Sequence, residues 1–308
     1  MRIVFMGTPE FSINVLQSLI DSEYDVVGVV TQPDKPVGRK QVLTPPAIKQ
    51  LALQYDIPVF QPVDIRQDHE QVIKWQPDII ITCAYGQIIP KVLLDLPPLG
   101  AINVHASLLP KYRGGAPIQW SIINGETETG ITIMYMAEKM DAGDMIAQAK
   151  IPIAQTDNYG TLHDKLSELG AKLLMETLPD IIAGTNKRIP QDESKVSYAW
   201  NIKKEDEKLN WQKPSQDIVN HIRGLNPFPG AYTLIDGTRF KIYEATSFDI
   251  THQNVPGTII EITNDAVIVA AGEGAVKIIE GQLAGRKRQF VETILNGKHP
   301  FEKGKQFE

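Results

Sequence analysis

The sequence predicts an α/β fold, a doubly wound and mostly parallel sheet of Rossmann-like type, followed by a small β-barrel. Two patterns support this. Apolar runs of strand length alternate with helical stripes through residue 184, whereas five short β-type segments follow Trp211. A chain of 308 residues also exceeds what one hydrophobic core usually serves. We therefore predict two domains, residues 1–184 and 204–308, joined by a polar linker at 185–203.

The first domain begins with a short apolar strand and a helix start. Thr8 is a suitable N-cap, and Pro9 suits the first helical position before a stripe of apolar residues at helical spacing. Residues 78–83 are continuously apolar, as in a strand covered on both faces. The predicted strands are 2–6, 25–31, 57–60, 78–83, 101–105, 131–136 and 145–151, and the later helices are 45–55, 66–75, 90–94 and 158–183.

The second domain begins with a helix candidate at residues 214–223. Turn residues such as Asp236-Gly237 and Asn264-Asp265 then separate β-type segments. Strands this short and regularly spaced are typical of a small barrel, for which an OB-like barrel is one option. The predicted strands are 231–235, 238–247, 257–262, 266–271 and 275–283.

Composition excludes several classes of function. The single cysteine, Cys83, rules out an internal disulfide and suits a reducing cytosol. The apolar runs are too short for a secretory signal or a membrane span. The histidines lack metal-ligand spacing, so we expect no metal, and one glycine at Gly7 is not a dinucleotide fingerprint. The net charge of −6 argues against indiscriminate nucleic-acid binding, but residues 203–308 are neutral and therefore relatively basic.

Asn103 and His105 form a polar pair in an apolar strand. Side chains alternate along a strand, so both point to one face. They lie near the carboxyl end of a predicted parallel strand, where open α/β sheets bind ligands. The asparagine can donate to a carbonyl oxygen, and the histidine can donate or accept a proton. A buried, hydrogen-bonded core histidine is the alternative, and it is the commoner fate of such a residue.

A carboxylate could complete this pair. Asp141 is the leading candidate because its Met-Asp-Ala-Gly-Asp turn could fold back over the sheet edge, and Asp144 is the competitor. An oxyanion donor, a histidine and a carboxylate together fit acyl transfer. The chain lacks a Gly-x-Ser-x-Gly nucleophile elbow. The pattern therefore favours direct attack by an amine on a bound acyl donor.

Several motifs resemble the folate-dependent formyltransferases. The segment His105-Ala-Ser-Leu-Leu-Pro, followed by Tyr112-Arg-Gly, is similar to that family's signature. The segments MRIVFMGTPE at 1–10, TQPDK at 31–35 and MDAGD at 140–144 resemble the branch that formylates methionyl initiator tRNA. The resemblance covers nearly the whole chain, including a C-terminal barrel of the expected length.

This resemblance implies a reaction and its participants. The donor would be 10-formyltetrahydrofolate and the acceptor the α-amine of methionine on initiator tRNA. Asn103 and His105 would stabilise the oxyanion, and Asp141 would hold His105. The residues expected to line the folate pocket are Ser107, Leu108, Leu109 and Pro110.

The resemblance also implies a tRNA surface. The Pro-rich loop after the second strand carries Arg39 and Lys40, although an exposed solvated loop is the usual fate of such residues. Phosphate contacts are expected from the second domain. The candidates there are Lys203, Lys204, Arg286, Lys287 and Arg288. The resemblance implies a cytoplasmic enzyme without membrane association, and we expect a monomer.

Two other functions compete with this interpretation. A formyltransferase acting on an amino-sugar nucleotide would carry the same Asn, His and Asp and a C-terminal barrel. The basic loop and basic tail favour tRNA. A purine-pathway formyltransferase is less favoured, because that family usually ends after the first domain. A non-catalytic RNA-binding protein is the alternative of another class, and the complete set of Asn103, His105 and Asp141 argues against it.

Overall fold

The computed structural model describes residues 1–38 and 40–308, which form two compact units. The first unit comprises Met1–Pro117, Glu128–Pro152 and His163–Trp200. The second comprises Ile118–Thr127, Ile153–Leu162 and Asn201–Glu308. Most of the segment predicted as a linker therefore belongs to the first unit. The functional boundaries at residues 184 and 204 stay a prediction.

The first unit is built on a sheet of seven strands and also holds a separate two-stranded hairpin. Its strands are β1 (Arg2–Gly7), β2 (Asp25–Val30), β3 (Lys35–Val37), β4 (Val42–Thr44), β5 (Val59–Phe60), β6 (Ile79–Cys83), β7 (Ala101–His105), β8 (Glu128–Tyr135) and β9 (Met145–Pro152). The helices of the chain are α1 (Ile13–Ile20), α2 (Ala47–Gln54), α3 (Glu70–Lys74), α4 (Lys91–Leu94), α5 (Pro117–Ile123), α6 (Tyr159–Ala183), α7 (Ser215–Gly224) and α8 (Val291–Leu295).

The sheet of the first unit has the order β5-β2-β1-β6-β7-β8-β9. Strands β5, β2, β1, β6 and β7 run parallel, while β8 and β9 pair antiparallel. The chain leaves β1 toward β2 on one side and later returns to place β6 on the other. Open α/β sheets bind ligands at such a reversal, which lies here at the carboxyl ends of β1 and β6. The predicted doubly wound, mostly parallel sheet is confirmed.

The Pro-rich stretch after β2 contains the hairpin β3–β4. Its strands have only three residues each, because prolines and glycine interrupt regular structure. Val37, Val42 and Leu43 are all more than half exposed on this hairpin. The hairpin therefore presents apolar side chains to solvent within the first unit.

The second unit contains an antiparallel sheet of order β10-β11-β14-β13-β12, with β15 paired to β14. The strands are β10 (Ala231–Ile235), β11 (Thr238–Phe248), β12 (Ile259–Ile262), β13 (Val267–Ala270), β14 (Ala275–Leu283) and β15 (Gln289–Phe290). The predicted bounds of β10 and β14 agree with the observed ones. The predicted helix at 214–223 and the short strands that follow it are confirmed.

The last residues of the chain join the two edges of this sheet. Ile259 N donates to Lys305 O at 2.8 Å beside β12, and Glu308 N donates to Leu234 O in β10 at 3.0 Å. Phe307 is 2% exposed and stacks on Phe240 inside. The sheet thereby closes into a barrel with an aromatic core.

Among the helices of residues 1–38 and 40–308, none is both long enough and apolar enough to cross a bilayer.

Candidate active site

Asn103 and His105 lie on β7, between the parallel β6 and the antiparallel β8. Being two residues apart, they share one face of the sheet. His105 is 5% exposed, and Asn103 is partly exposed at the same edge. The strand therefore delivers the two side chains together, as their spacing predicts.

Thr82 orients the amide of Asn103. The two residues are paired in the register of β6 and β7, and Thr82 is 2% exposed. Its Oγ1 donates to Asn103 Oδ1 at 2.8 Å. With the carbonyl oxygen engaged, the Nδ2 group, which can only donate, lies on the other side of the amide. The sequence does not predict this contact, although a threonine inside the apolar run of β6 is a weak signal for it.

His105 has both ring nitrogens close to protein oxygens. Nε2 lies 3.0 Å from the backbone oxygen of Tyr112. A carbonyl can only accept, so Nε2 must carry a hydrogen. Nδ1 lies 3.8 Å from Asp141 Oδ1, which suits an ion pair but is too long for a hydrogen bond. An additional proton on the ring would therefore reside at Nδ1, facing the carboxylate.

Asp141 is held by the loop that follows β7. Its Oδ2 accepts a hydrogen bond from Gly114 N at 2.8 Å, and its backbone has a positive φ of 48°. Asp144, the alternative candidate, is instead paired with Arg188, with Nε 3.2 Å from Oδ2. The structure thus brings Asp141 next to His105 and engages Asp144 elsewhere.

The polar segment after α6 pairs with the loop that supports Asp141. Arg113 N donates to Ser197 O at 2.9 Å, and Ala199 N donates to Arg113 O at 2.7 Å. Tyr112 N also donates to Ser197 Oγ at 3.0 Å. These bonds form an isolated parallel bridge between Arg113 and Tyr198. Residues 185–200 of the predicted linker therefore belong to the first unit.

Residues 107–110 form a loop whose shape is set by β8 and β9. Thr132 Oγ1 donates to Ser107 O at 2.7 Å and accepts from Leu109 N at 3.1 Å. Gln148 Nε2 donates to Leu109 O at 2.9 Å. Ser107 and Leu109 are buried, whereas Leu108 and Pro110 are partly exposed. Of the four residues predicted to line a folate pocket, Leu108 and Pro110 are the more exposed, and the lining itself stays a prediction.

The sequence matches two families of known proteins. The profile described as Formyl transferase matches residues 1–178, and that described as Formyl transferase, C-terminal domain, matches residues 201–299. The chain belongs to the formyl transferase family. The observed Asn, His and Asp arrangement is therefore the candidate active site of a formyltransferase, and the resemblance seen in the sequence motifs is confirmed.

Curated relatives align along nearly all of this formyltransferase. The chain is 56% identical over 299 residues to the methionyl-tRNA formyltransferases of Staphylococcus aureus strains MW2 and JH1. Each alignment covers 96% of this chain and 96% of the relative. Both regions of the formyltransferase, and the connection between them, are therefore represented in those relatives.

Solved structures share the fold at much lower identity. The sugar 3N-formyl transferase WlaRD, crystallised in the presence of dTDP and 5-N-formyl-THF, has a TM-score of 0.67 at 21% identity. That alignment covers 93% of this chain and 99% of WlaRD. An N-formyltransferase from Helicobacter canadensis has a TM-score of 0.69 at 22% identity, covering 91% and 98% of the two chains. These likenesses establish the fold of the formyltransferase.

Other chemically reactive groups of the formyltransferase are poor candidates for catalysis. Cys83 is fully buried at the end of β6, and burial raises the pKa of its thiol to about 12. A thiol that stays protonated is a weak nucleophile. Among residues 1–38 and 40–308, no group of three or more His, Cys, Asp or Glu side chains is arranged to hold a metal ion.

The basic residues predicted to contact tRNA have different surroundings. Arg39 lies outside the described residues, and Lys40 is exposed in the turn between β3 and β4. Lys203 and Lys204 are exposed just before a short 3₁₀ turn. The exposed turn between β14 and β15 carries Arg286, Lys287 and Arg288.

Arg288 differs from its two neighbours because it already has protein partners. Its guanidinium bonds Glu280, donates to Asn226 Oδ1 at 3.2 Å and lies 4.3 Å from the ring centroid of Tyr243. The hydrogen bond to Glu280 raises the pKa of Arg288 further. Arg286 and Lys287 are therefore better placed than Arg288 to meet a phosphate.

Proposed function

We propose that this formyltransferase transfers the formyl group of 10-formyltetrahydrofolate to the α-amine of methionine esterified to initiator tRNA. The identity of 56% with methionyl-tRNA formyltransferases over 96% of both chains is the main support. The contact geometry of Asn103, His105 and Asp141 agrees with acyl transfer to an amine.

The proposed reaction is an addition followed by an elimination. The amine nitrogen attacks the formyl carbon, a C–N bond forms, and the formyl oxygen becomes an oxyanion. Collapse of this intermediate breaks the bond from carbon to N10 of the folate. The proton lost by the amine ends on N10, so the products are formylmethionyl-tRNA and tetrahydrofolate.

The three candidate residues have separate tasks in this reaction. Asn103 Nδ2 donates to the oxyanion, since Thr82 occupies the other end of the amide. His105 receives the amine proton at Nδ1, the ring nitrogen that carries no hydrogen, through a water molecule and passes it to N10. Asp141, facing Nδ1, stabilises the charged imidazole during that transfer.

The folate is proposed to bind at the carboxyl edge of the parallel strands. The reversal of strand order between β1 and β6 lies there, and Thr8 Oγ1 donates to Tyr85 O after these strands at 2.9 Å. Leu108 and Pro110 would offer the apolar contacts, while Ser107 and Leu109 maintain the shape of the loop. The formyl carbon would then lie beside Asn103.

The tRNA is proposed to contact both units. Arg39 and Lys40 would approach the acceptor end, whereas Lys203, Lys204, Arg286 and Lys287 would bind phosphates. Replacing Arg286 and Lys287 together by alanine should lower the slope of log Kd against log salt by about 1 for each phosphate that the variant no longer binds. Lys74→Ala, at an exposed residue of α3, is the control for the loss of one surface positive charge. An unchanged slope would remove this pair from the tRNA surface.

The deciding experiment is a formylation assay in the presence of 10-formyltetrahydrofolate. Methionyl initiator tRNA, methionyl elongator tRNA and a dTDP-linked amino sugar are offered as acceptors in parallel. We expect formylmethionine, identified by mass spectrometry after tRNA hydrolysis, only with the initiator. Formylation of the amino sugar alone would support the rival substrate, and no product with any acceptor would contradict the proposal.

A role in translation initiation also assigns the enzyme to the cytoplasm. A monomer, also proposed, is tested by light scattering.

A further inference from the structure

The side chain of Gln191 lies between a buried arginine and the turn that carries Asp141. Gln191 Oε1 accepts from Arg113 Nε at 3.0 Å and from Nη2 at 2.9 Å. Gln191 Nε2 donates to the backbone oxygens of Asp141 and Gly143, both at 2.8 Å. Two hydrogen bonds of this amide therefore go to Arg113, and the other two go to the turn that carries Asp141.

The orientation of the Gln191 amide follows from its partners. A guanidinium can only donate hydrogen bonds, and a backbone carbonyl can only accept them. The amide oxygen must therefore face Arg113, and the amide nitrogen must face the turn. A flipped amide would set donors against donors and acceptors against acceptors, so Gln191 has one satisfied orientation.

The turn bearing Asp141 depends on such support. A positive φ is uncommon for a residue with a side chain, and Asp141 has a φ of 48°. Such a backbone persists only where the surrounding structure over-determines it. Gly143 is packed against the backbone of Tyr135, where a Cβ would lie 1.9 Å from the oxygen. Two contacts therefore fix Asp141. Gly114 N bonds its carboxylate, and Gln191 bonds its backbone oxygen.

Arg113 gives Gln191 a firm anchor. Its side chain is 0% exposed, and its backbone N and O are both bonded to residues 197–199. Its Nη2 also lies 2.7 Å from Glu193 Oε1. The guanidinium cannot move without breaking several of these contacts. Gln191 therefore links the Asp141 turn by hydrogen bonds to an arginine whose position is fixed.

We infer that Gln191 is a positioning residue for formyl transfer, acting by holding the Asp141 turn so that its carboxylate faces His105. The inference rests on the proposed function, because it assigns Asp141 a part in that reaction. The atoms that hydrogen-bond to the Gln191 amide belong to Arg113, Asp141 and Gly143, and His105 is not among them. Its loss should therefore lower kcat and leave the KM values for folate and tRNA nearly unchanged.

Replacement of Gln191 by glutamate tests its hydrogen bonds to the Asp141 turn separately from those to Arg113. Gln191→Glu keeps an acceptor, now charged, toward Arg113, so the anchor is retained. It removes both donors and sets carboxylate oxygen against the carbonyls of Asp141 and Gly143. Since a misplacement of about 1 Å can cost about 100-fold in rate, we expect kcat to fall ~10–100-fold, with both KM values within about twofold.

Two further variants complete the test. Gln76→Glu makes the same chemical change at an exposed residue before β6, at the other end of the sheet, and should keep kcat at the wild-type level. Gln191→Met removes the donors, and also the oxygen that faces Arg113, without adding a charge; it replaces Gln191→Glu if the latter does not fold. It should show the same loss of kcat.

The outcomes distinguish this inference from the proposed function. If the wild type formylates methionyl initiator tRNA and the Gln191 variants retain full kcat, the positioning role is wrong. A loss that appears in KM rather than kcat also overturns it. A wild type with no formylation activity would instead contradict the proposed function itself.

Discussion

The two sides of the candidate site are built in different ways. Asn103 and His105 belong to one strand, paired on both sides, and their relative position follows from the strand repeat. Asp141 lies in a turn with a positive φ and is held by Gly114 and by Gln191, which lie far before and far after it in the chain. A strand can supply reactive groups with few supports, whereas a loop needs contacts from distant segments.

The strand side is expected to give the largest effect. Asn103→Ala removes the proposed oxyanion donor, and losing one such donor typically costs ~10²–10³ in kcat. The strand pairing does not use this side chain, so the melting temperature and folate affinity should change little. Formylation kinetics and a folate titration measure these quantities. A rate near that of the wild type would exclude Asn103 from catalysis.

The loop side is expected to give a smaller effect. Asp141→Asn retains an oxygen that can accept from Gly114 N and removes the charge that faces His105 Nδ1. Because the oxyanion donor is kept, we expect kcat to fall by at most about 100-fold. Asp144→Asn, which alters the pair with Arg188, is the control. If Asp144→Asn were the more damaging change, the assignment of the carboxylate would be wrong.

Loss of the Thr82 hydroxyl, which bonds Asn103, should lower kcat by a smaller factor still. Thr82→Val keeps the shape of the side chain and removes the hydrogen bond to Asn103 Oδ1. A neutral hydrogen bond contributes about 0.5–1.5 kcal/mol, which corresponds to a decrease in kcat of about 2–10-fold. Thr82→Ser keeps the hydroxyl and should restore most of the rate. Equal kcat in the valine and serine variants would show that Thr82 does not orient Asn103.

The smallest expected effect concerns Glu193, which pairs with Arg113. This pair should make the free energy of unfolding depend on pH. Hydrogen bonds from Arg113 and Lys139 lower the pKa of Glu193 from 4.5 to about 2. A lowered pKa in the folded state gives stability above pH 4.5 that is lost as the pH falls toward 2. Glu193 is 60% exposed, so solvent screening keeps the contribution small.

Denaturant unfolding across that pH window measures the contribution of Glu193. The variant Glu193→Gln should lose slightly less stability than the wild type between pH 4.5 and about 2. Identical curves for the two proteins would show that the Glu193 pair does not contribute to the stability of the fold.

The fold was predictable where local pattern and tertiary structure agree. The apolar run of β6 and the bounds of β10 and β14 follow from period and turn residues. Residues 185–203 are polar and aperiodic, which is typical of a linker, yet residues 197–199 pair with Arg113. A pairing made through backbone groups across a long sequence separation leaves no periodic signal.

The site was predictable in part for the same reason. The spacing of Asn103 and His105 places both on one face without any knowledge of distant residues. Asp141 and Asp144 occupy the same turn, and only the partners Gly114 and Arg188 separate them. Gln191 lies 50 residues from Asp141 in the chain, and its role depends on side-chain contacts that no short motif encodes.

The closure of the second unit by residues 305–308 also bears on aggregation. Unpaired strand edges expose rows of N–H and C=O groups that can pair with other chains. Lys305 and Glu308 occupy such groups on Ile259 of β12 and Leu234 of β10. Phe307, seated between these contacts, ties the segment to the aromatic core. Residues 305–308 therefore occupy backbone groups at both edges of this sheet, and these groups are not free to pair with another chain.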